Sequence, residues 1–265
     1  MNDYNPADFD PATYNPAAPA PPGAVAKRSS YFTVTSSVRF SFLAALPLLL
    51  LYEVIMLVSP SGSGGQVRVG SEVWIKQLLS LIGYSGTIVL GFVVLAIGAF
   101  VFYRSRGTPL ELRSVHVPLF LAESTLYAVV VALLVSTVIG LAMMNLSGLP
   151  AQQYGLLTDI GLSIGAGLYE ELLFRVVLVG ALFWSLSKIT KTKRSAYIYA
   201  AVFGALAFSA VHYIGSLGDA FTMSSFSFRF LFGLALNVIF LLRGFGVAAW
   251  THAIYDILIV TSLLG

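Results

Sequence analysis

Long apolar runs separated by short polar loops dominate the chain after about residue 37. Most runs are close to the ~20 residues that a helix needs to cross the hydrocarbon core of a bilayer. Because backbone N–H and C=O groups cannot stay unpaired in lipid, the pattern predicts transmembrane helices. The predicted fold class is therefore all-α, a polytopic transmembrane helical bundle with seven spans. The runs lie at about 41–59, 86–103, 118–144, 160–187, 195–214, 226–242 and 246–264.

A shorter segment between the first two runs has a different pattern. Around residues 72–82, Val, Ile and Leu interleave with Glu72 and Lys76. This pattern is typical of a short helix that lies along the membrane surface. An eighth, partial span is the alternative interpretation.

The N-terminal segment differs from the rest of the chain. It is rich in Pro, Ala, Asn and Asp, and it has too little apolar surface to offset the entropy of ordering. We predict a disordered Pro-rich tail over residues 1–36 and a transmembrane domain over residues 37–265. The prolines of the tail are Pro6, Pro11, Pro16, Pro19, Pro21 and Pro22.

Composition narrows the class of protein. Hydrophobic residues make up 57% of the chain and charged residues 10%, against roughly 25% charged residues in an ordinary globular domain. So few charges cannot cover the surface of a soluble domain, so the lipid bilayer is the expected solvent. The chain has no Cys, which excludes disulfide frameworks, zinc–thiolate sites and thiol nucleophiles. The net charge of +3 comes from few groups, and no nucleic-acid partner is expected.

The positions of Lys and Arg predict the orientation. If seven spans alternate, most of these cations fall on one side, whereas the other side holds only Arg68, Lys76 and Arg229. Cytoplasmic loops carry an excess of Lys and Arg, so we predict an N-terminus in the cytoplasm and a C-terminus outside. The cations of the cytoplasmic side are Lys27, Arg28, Arg39, Arg104, Arg106, Arg113, Lys188, Lys191, Lys193, Arg194 and Arg243.

Two acids lie near the ends of their runs. Glu53 and Glu123 are placed where each side chain is expected to reach the membrane interface.

A third acidic position, Glu170-Glu171 followed by Arg175, lies well inside the fourth run. On a helix, Glu171 and Arg175 are four residues apart and share a face, which predicts an intrahelical ion pair. Glu170 points about 100° away, and a desolvated carboxylate without a partner suits a general base near neutral pH.

Two further polar pairs have a spacing of one helical turn. Phe208 and His212 share a face in the fifth run, and His252 and Asp256 share a face in the last run. Each pair alone is compatible with ordinary packing or with a carboxylate that orients an imidazole.

Together, these positions predict one site. Glu170, His212, His252 and Asp256 converge if the fourth, fifth and seventh helices are neighbours. Two imidazoles and two carboxylates can bind and deprotonate water. In a bundle of straight spans, Glu170 and His212 lie nearer the outer ends and His252 nearer the inner end. Convergence therefore requires tilt, shifted span limits or a break, for which the candidates are Gly165, Gly167 and Gly246.

The ordered set of motifs resembles a known family. Glu170-Glu171-x-x-x-Arg175, Phe208-x-x-x-His212 and His252-x-x-x-Asp256 are similar to the motifs of the CAAX-prenyl-protease and bacteriocin-processing (Abi, CPBP) family of intramembrane endopeptidases. The turn from Arg243 to Gly246 is similar as well, and the resemblance covers residues 118–264.

The resemblance implies hydrolysis of a peptide bond in a membrane-anchored peptide or protein. Glu170 and His212 would hold and activate the water, and His252 with residue 256 would stabilise the oxyanion. Glu171 and Arg175 would support the site, and Phe208 would be a packing residue.

Asp256 stands where the best-understood members of this family have Asn. An amide donates a hydrogen bond to an oxyanion, whereas an ionised carboxylate repels it. Asp256 must therefore be protonated, orient His252 or bind a cation. The last alternative would suit a divalent metal such as zinc. The His-Glu-x-x-His motif is absent, and we favour a glutamate-based mechanism with no metal and no cofactor.

Two other classes of function remain as alternatives. The same fold can serve as a membrane scaffold or regulator without chemistry, and Asp256 leaves room for that interpretation. Intramembrane acids and histidines also occur in proton-coupled transporters. The polar residues lie late in the chain, without the two matching halves that are common in transporters, so the protease is the leading hypothesis.

Overall fold

The computed structural model describes residues 30–59, 67–81, 83–106, 111–142, 154–214, 218–261 and 263. These residues are helical or lie in turns and short connections, with no strand among them. The predicted all-α class is therefore confirmed. The elements are α1 Tyr31–Thr35, α2 Val38–Val58, α3 Gly70–Ser80, α4 Gly86–Arg104, α5 His116–Ala142, α6 Leu156–Glu170, a π-helical segment Glu171–Val179, α7 Gly180–Leu186, α8 Lys193–Val211, α9 Met223–Arg243 and α10 Phe245–Val260.

Within the described part of the chain, five helices are long and apolar enough to cross a membrane: α2, α4, α5 over His116–Val138, α8 and α9. The protein is therefore an integral membrane protein. Helix α10 is apolar but shorter. The fourth apolar run forms α6, the π-helical segment and α7 in succession, and no single one of these pieces has the length of a span. Over the described residues, each predicted apolar run is mainly helical, whereas the predicted number of seven spans is not confirmed.

The segment between α2 and α4 forms a short helix, as its sequence pattern predicts. Helix α3 packs against α4 and α6. Its acid Glu72 is fully buried, accepts a hydrogen bond from Tyr52 and pairs with Lys76. The polar side of α3 therefore faces the protein, while apolar residues such as Leu78 are exposed.

The predicted tail is too long at its C-terminal end. Residues 1–29 lie outside the described residues, but Tyr31–Thr35 form a helix, so the prediction of disorder is wrong for that segment. The Ser30 side chain caps α1 by accepting from the Thr33 N–H at 3.2 Å. Arg243, more than 200 residues away in sequence, donates to the Phe32 carbonyl oxygen at 3.2 Å. Sequence composition does not reveal such a distant contact.

Helix α10 lies at the centre of the packing that forms the site, in contact with α2, α5, α6 and α9. It approaches α6 closely at Gly167, where an added Cβ would lie 2.6 Å from both the Ala249 carbonyl oxygen and the Ala253 Cβ. Only glycine allows this separation. Four residues further along the chain, Glu171 at the start of the π-helical segment lies beside His252.

The helix geometry changes at a different place from the predicted one. Gly165 and Gly167 lie inside α6, and Gly246 lies inside α10. None of these three glycines breaks its helix. The change occurs at Glu171, where the π-helical segment begins. Between α9 and α10, Gly244 has φ of +82°, a left-handed conformation that favours glycine and allows the sharp turn.

Candidate active site

The π-helical segment carries a buried ion pair. Glu171 and Arg175 are 0% and 1% exposed, and the Arg175 Nη1 lies 3.0 Å from the Glu171 Oε1. The predicted intrahelical pair is therefore confirmed. The guanidinium also lies over the Phe208 ring, 4.5 Å from its centroid. Single π-helical turns inside α-helices are frequent at functional sites, and here the turn contains the two charged residues.

Glu170, the last residue of α6, faces the end of α8. Its Oε2 lies 4.0 Å from the Nε2 of His212, and the two side chains are 16% and 25% exposed. That separation is too long for a direct hydrogen bond. Both groups can therefore be reached from outside the protein and do not satisfy each other.

The ring of His212 is fixed by the backbone. Its Nδ1 lies 2.7 Å from the Phe208 carbonyl oxygen, one turn earlier. A carbonyl oxygen only accepts, so Nδ1 carries a proton, and in the neutral ring Nε2 is then an acceptor. Glu170 Oε2 and His212 Nε2 are thus two acceptors that face each other. This arrangement favours the binding of a hydrogen-bond donor between them.

His252 lies between two carboxylates. Its Nδ1 is hydrogen-bonded to the Glu171 Oε1 at 2.7 Å, and its Nε2 lies 3.4 Å from the Asp256 Oδ2. The imidazole is buried, with the rings of Phe208 and Phe232 edge-on at centroid distances of 6.1 and 5.2 Å. Asp256 is 28% exposed, so this group opens outward on the Asp256 side.

All seven predicted site residues therefore lie in one region. The Glu170–His212 pair and the Glu171–His252–Asp256 group adjoin through Phe208, whose ring is 5.1 Å from that of His212. Their catalytic roles remain predictions. The interpretation of Phe208 as a packing residue is incomplete, because its carbonyl oxygen also sets the orientation of His212.

Helix α9 contributes contacts that sequence reasoning missed. Phe232 packs against His252, and the Gly233 carbonyl oxygen lies 3.4 Å from the Arg175 Nη2. Neither residue carries an ionisable group, so a search for polar residues at membrane depth does not find it. A possible signal is the glycine itself, since a Cβ there would lie 3.1 Å from the Phe208 ring.

The donor set does not fit a metal ion. Among the described residues, no group of three or more His, Cys, Asp or Glu side chains is arranged to hold one. The absence of a cofactor stays a prediction.

A second buried Arg–Glu pair lies apart from this site. Arg243 at the end of α9 donates from Nε and Nη2 to both carboxylate oxygens of Glu123. The Glu123 side chain is 11% exposed, and the expectation that it reaches the membrane interface stays a prediction. Tyr31 also donates to Glu123 at 2.6 Å. Burial raises the pKa of Tyr31, and this hydrogen bond raises it further.

One comparison with known proteins gives a match. A family model described as Rce1-like, type II CAAX prenyl endopeptidase Rce1-like, matches residues 152–258. The matched range contains every predicted site residue, from Glu170 to Asp256. No curated protein and no solved structure matches the chain.

Proposed function

We propose that this chain, whose residues 152–258 match the family model of Rce1-like type II CAAX prenyl endopeptidases, is a glutamate-type intramembrane endopeptidase. The proposed substrate is a membrane-anchored peptide or protein. One observation carries the proposal: Glu170 Oε2 and His212 Nε2 face each other across 4.0 Å beside the buried His252.

The gap between the two acceptors suits one water molecule. Hydrogen bonds of about 2.8 Å from one water to two acceptors place those acceptors roughly 4 Å apart. Such a water donates one hydrogen to Glu170 and one to His212, and its lone pairs remain for attack. Glu170 then takes a proton as the water oxygen bonds to the substrate carbonyl carbon.

His252 is the proposed stabiliser of the negative charge that develops on the carbonyl oxygen. Its Nδ1 is held by Glu171, so Nε2 is the nitrogen that can donate to the oxyanion. Collapse of the tetrahedral intermediate breaks the C–N bond. The proton held by Glu170 passes to the leaving amine, and the products are a carboxylate and an amine.

The topology that we propose has seven spans. Residues 156–186 and α10 would add two spans to the five long apolar helices. The Lys and Arg residues of the loops support an N-terminus in the cytoplasm and a C-terminus outside. Arg243 is buried in an ion pair and no longer contributes to that argument, but the loop cations after α4 and α7 do.

A comparison of newly formed N-terminal peptides tests the function without a known substrate. Membranes from cells that express wild type, Glu170→Gln, His212→Ala or Glu53→Gln would be analysed at matched protein levels. Glu53 is a suitable control because it is a half-exposed acid outside the site, paired with Arg68 at 2.9 Å. Exposed pairs of this kind contribute about 0–1 kcal/mol.

We expect a set of peptides that requires the wild-type or Glu53→Gln protein and disappears in the two site variants. The same peptides in Glu170→Gln membranes would rule out Glu170 as the base. Normal cellular function of that variant would instead favour the membrane scaffold or regulator.

A further inference from the structure

The two ring nitrogens of His252 face two carboxylates that differ in the number of other cations they contact. Glu171, at Nδ1, also pairs with Arg175, whose Nη1 lies 3.0 Å from the same Oε1. One carboxylate thus faces two potential cations. Among the described residues, Asp256, at Nε2, forms an ion pair with His252 and with no Arg or Lys.

Among the described residues, α8 and α9 contribute no charge to the ring contacts of His252. Helices α8 and α9 present the rings of Phe208 and Phe232. The π-helical segment presents Glu171, and Arg175 behind it. The charges of the buried pair Arg175–Glu171 compensate each other. Asp256 is therefore the negative charge that remains to compensate a positively charged His252.

The geometry at the two nitrogens also differs. The Nδ1–Oε1 separation of 2.7 Å is a short hydrogen bond, typical of a charge-assisted one. The Nε2–Oδ2 separation of 3.4 Å lies beyond the usual 2.7–3.2 Å range. Asp256 is therefore close enough to interact through its charge, while the Nε2–H is not committed to a short hydrogen bond.

We propose that Asp256 is a positioning residue that keeps His252 as an imidazolium with a proton on each nitrogen. The proposal rests on the proposed function and deepens it. Nδ1–H is held by Glu171, and Nε2–H stays available for the substrate oxyanion. An ionised Asp256 does not itself donate to the oxyanion. It compensates the charge of the group that does, which gives a carboxylate a role at this position.

Histidine-selective ¹⁵N NMR of the full chain in lipid nanodiscs tests this directly. The chain has three histidines, so His116→Gln and His252→Gln variants assign the signals. At pH 7.5 we expect both ring nitrogens of His252 to be protonated. In Asp256→Asn, the ratio of imidazolium to neutral imidazole at His252 should fall at least about tenfold.

Two further variants separate charge from structure. Asp256→Glu should restore the imidazolium signal, and Asp256→Ser should lose it as Asp256→Asn does. Glu53→Gln should leave all three histidine signals unchanged. A neutral His252 in the wild type, or an unchanged imidazolium signal in both Asp256→Asn and Asp256→Ser, would overturn the proposal.

This measurement needs no substrate and no cleavage. An imidazolium at His252 in a protein that cleaves nothing would contradict the proposed function and support the assignment to Asp256. A neutral His252 in a protein that cleaves its substrate would contradict the assignment alone.

Discussion

Two Arg–Glu pairs, Arg243–Glu123 and Arg175–Glu171, differ in how completely their hydrogen-bonding groups are used. Glu123 accepts from Arg243 at both oxygens and from Tyr31 at one of them. The remaining Arg243 donors reach the backbone and hydroxyl groups of α1 and the turn after it, namely Phe32, Thr35 and Ser36. This cluster joins α1, α5 and α9, and the donors of Arg243 and the carboxylate oxygens of Glu123 have their partners within the protein.

The Glu171–Arg175 pair is not closed in this way. Glu171 Oε2 and Arg175 Nε have no hydrogen-bond partner among the described residues. Nearby, Glu170 and His212 are held 4.0 Å apart. Buried polar groups in folded proteins are usually satisfied. The difference indicates that the first cluster serves stability, whereas the second keeps polar groups for another molecule. Substitutions in the two regions should therefore affect different properties.

Removal of the His212 imidazole should lower cleavage strongly. His212→Ala deletes one of the two acceptors for the attacking water, and a positioned acid–base group contributes about 10²–10⁴-fold to rate. We expect cleavage of a substrate recovered from the peptide comparison to fall at least about a hundredfold. His116→Gln is the control, because His116 lies outside the site and contacts Tyr31. If His116→Gln lost as much cleavage per folded molecule as His212→Ala, the two regions would not differ in their effect on activity.

Removal of the Arg243 guanidinium should lower stability more than activity. Arg243→Met leaves Glu123 buried without its cation, and the loss of one partner of a buried pair costs about 3–5 kcal/mol. The unfolding midpoint in detergent should drop clearly, while cleavage per folded molecule is kept. Arg243→Lys restores a charge without the bidentate geometry, so its loss should be smaller. An unchanged midpoint in Arg243→Met would contradict a structural role for this cluster.

The smallest expected effect concerns the hydroxyl group of Tyr31. Tyr31→Phe removes one hydrogen bond to Glu123, and such a bond contributes about 0.5–1.5 kcal/mol. Because the pKa of Tyr31 is raised, its contribution should be fully present below the ordinary value of about 10 and be lost as the pH rises beyond it. The stability difference between wild type and Tyr31→Phe, measured from pH 7 to 11, should therefore shrink only at the alkaline end. A difference that shrinks below pH 9 would argue against this titration.

Local patterns allowed much of the fold and of the site to be predicted. Apolar runs gave the helices, and a spacing of four residues gave the Glu171–Arg175 pair, because neighbours on one helix face lie within a few residues in sequence. The convergence on one site was inferred from rare polar residues on separate helices.

Contacts between distant segments could not be predicted in this way. Glu123 and Arg243 are 120 residues apart, and nothing in the sequence near either one indicates its partner. The π-helical segment packs against α8 and α10, and Glu171–Val179 contains no glycine or proline that would mark it in the sequence. The contact of α9 with the site depends on Phe232 and Gly233, which have no ionisable group to mark them.

The same Glu→Gln substitution at Glu170 and at Glu123 tests the central claim most directly. Unfolding midpoint and cleavage of the recovered substrate would be measured on one preparation of each purified variant. The account predicts that Glu170→Gln abolishes cleavage with an unchanged midpoint, whereas Glu123→Gln lowers the midpoint and keeps cleavage per folded molecule. Undiminished cleavage by a folded Glu170→Gln protein would contradict it.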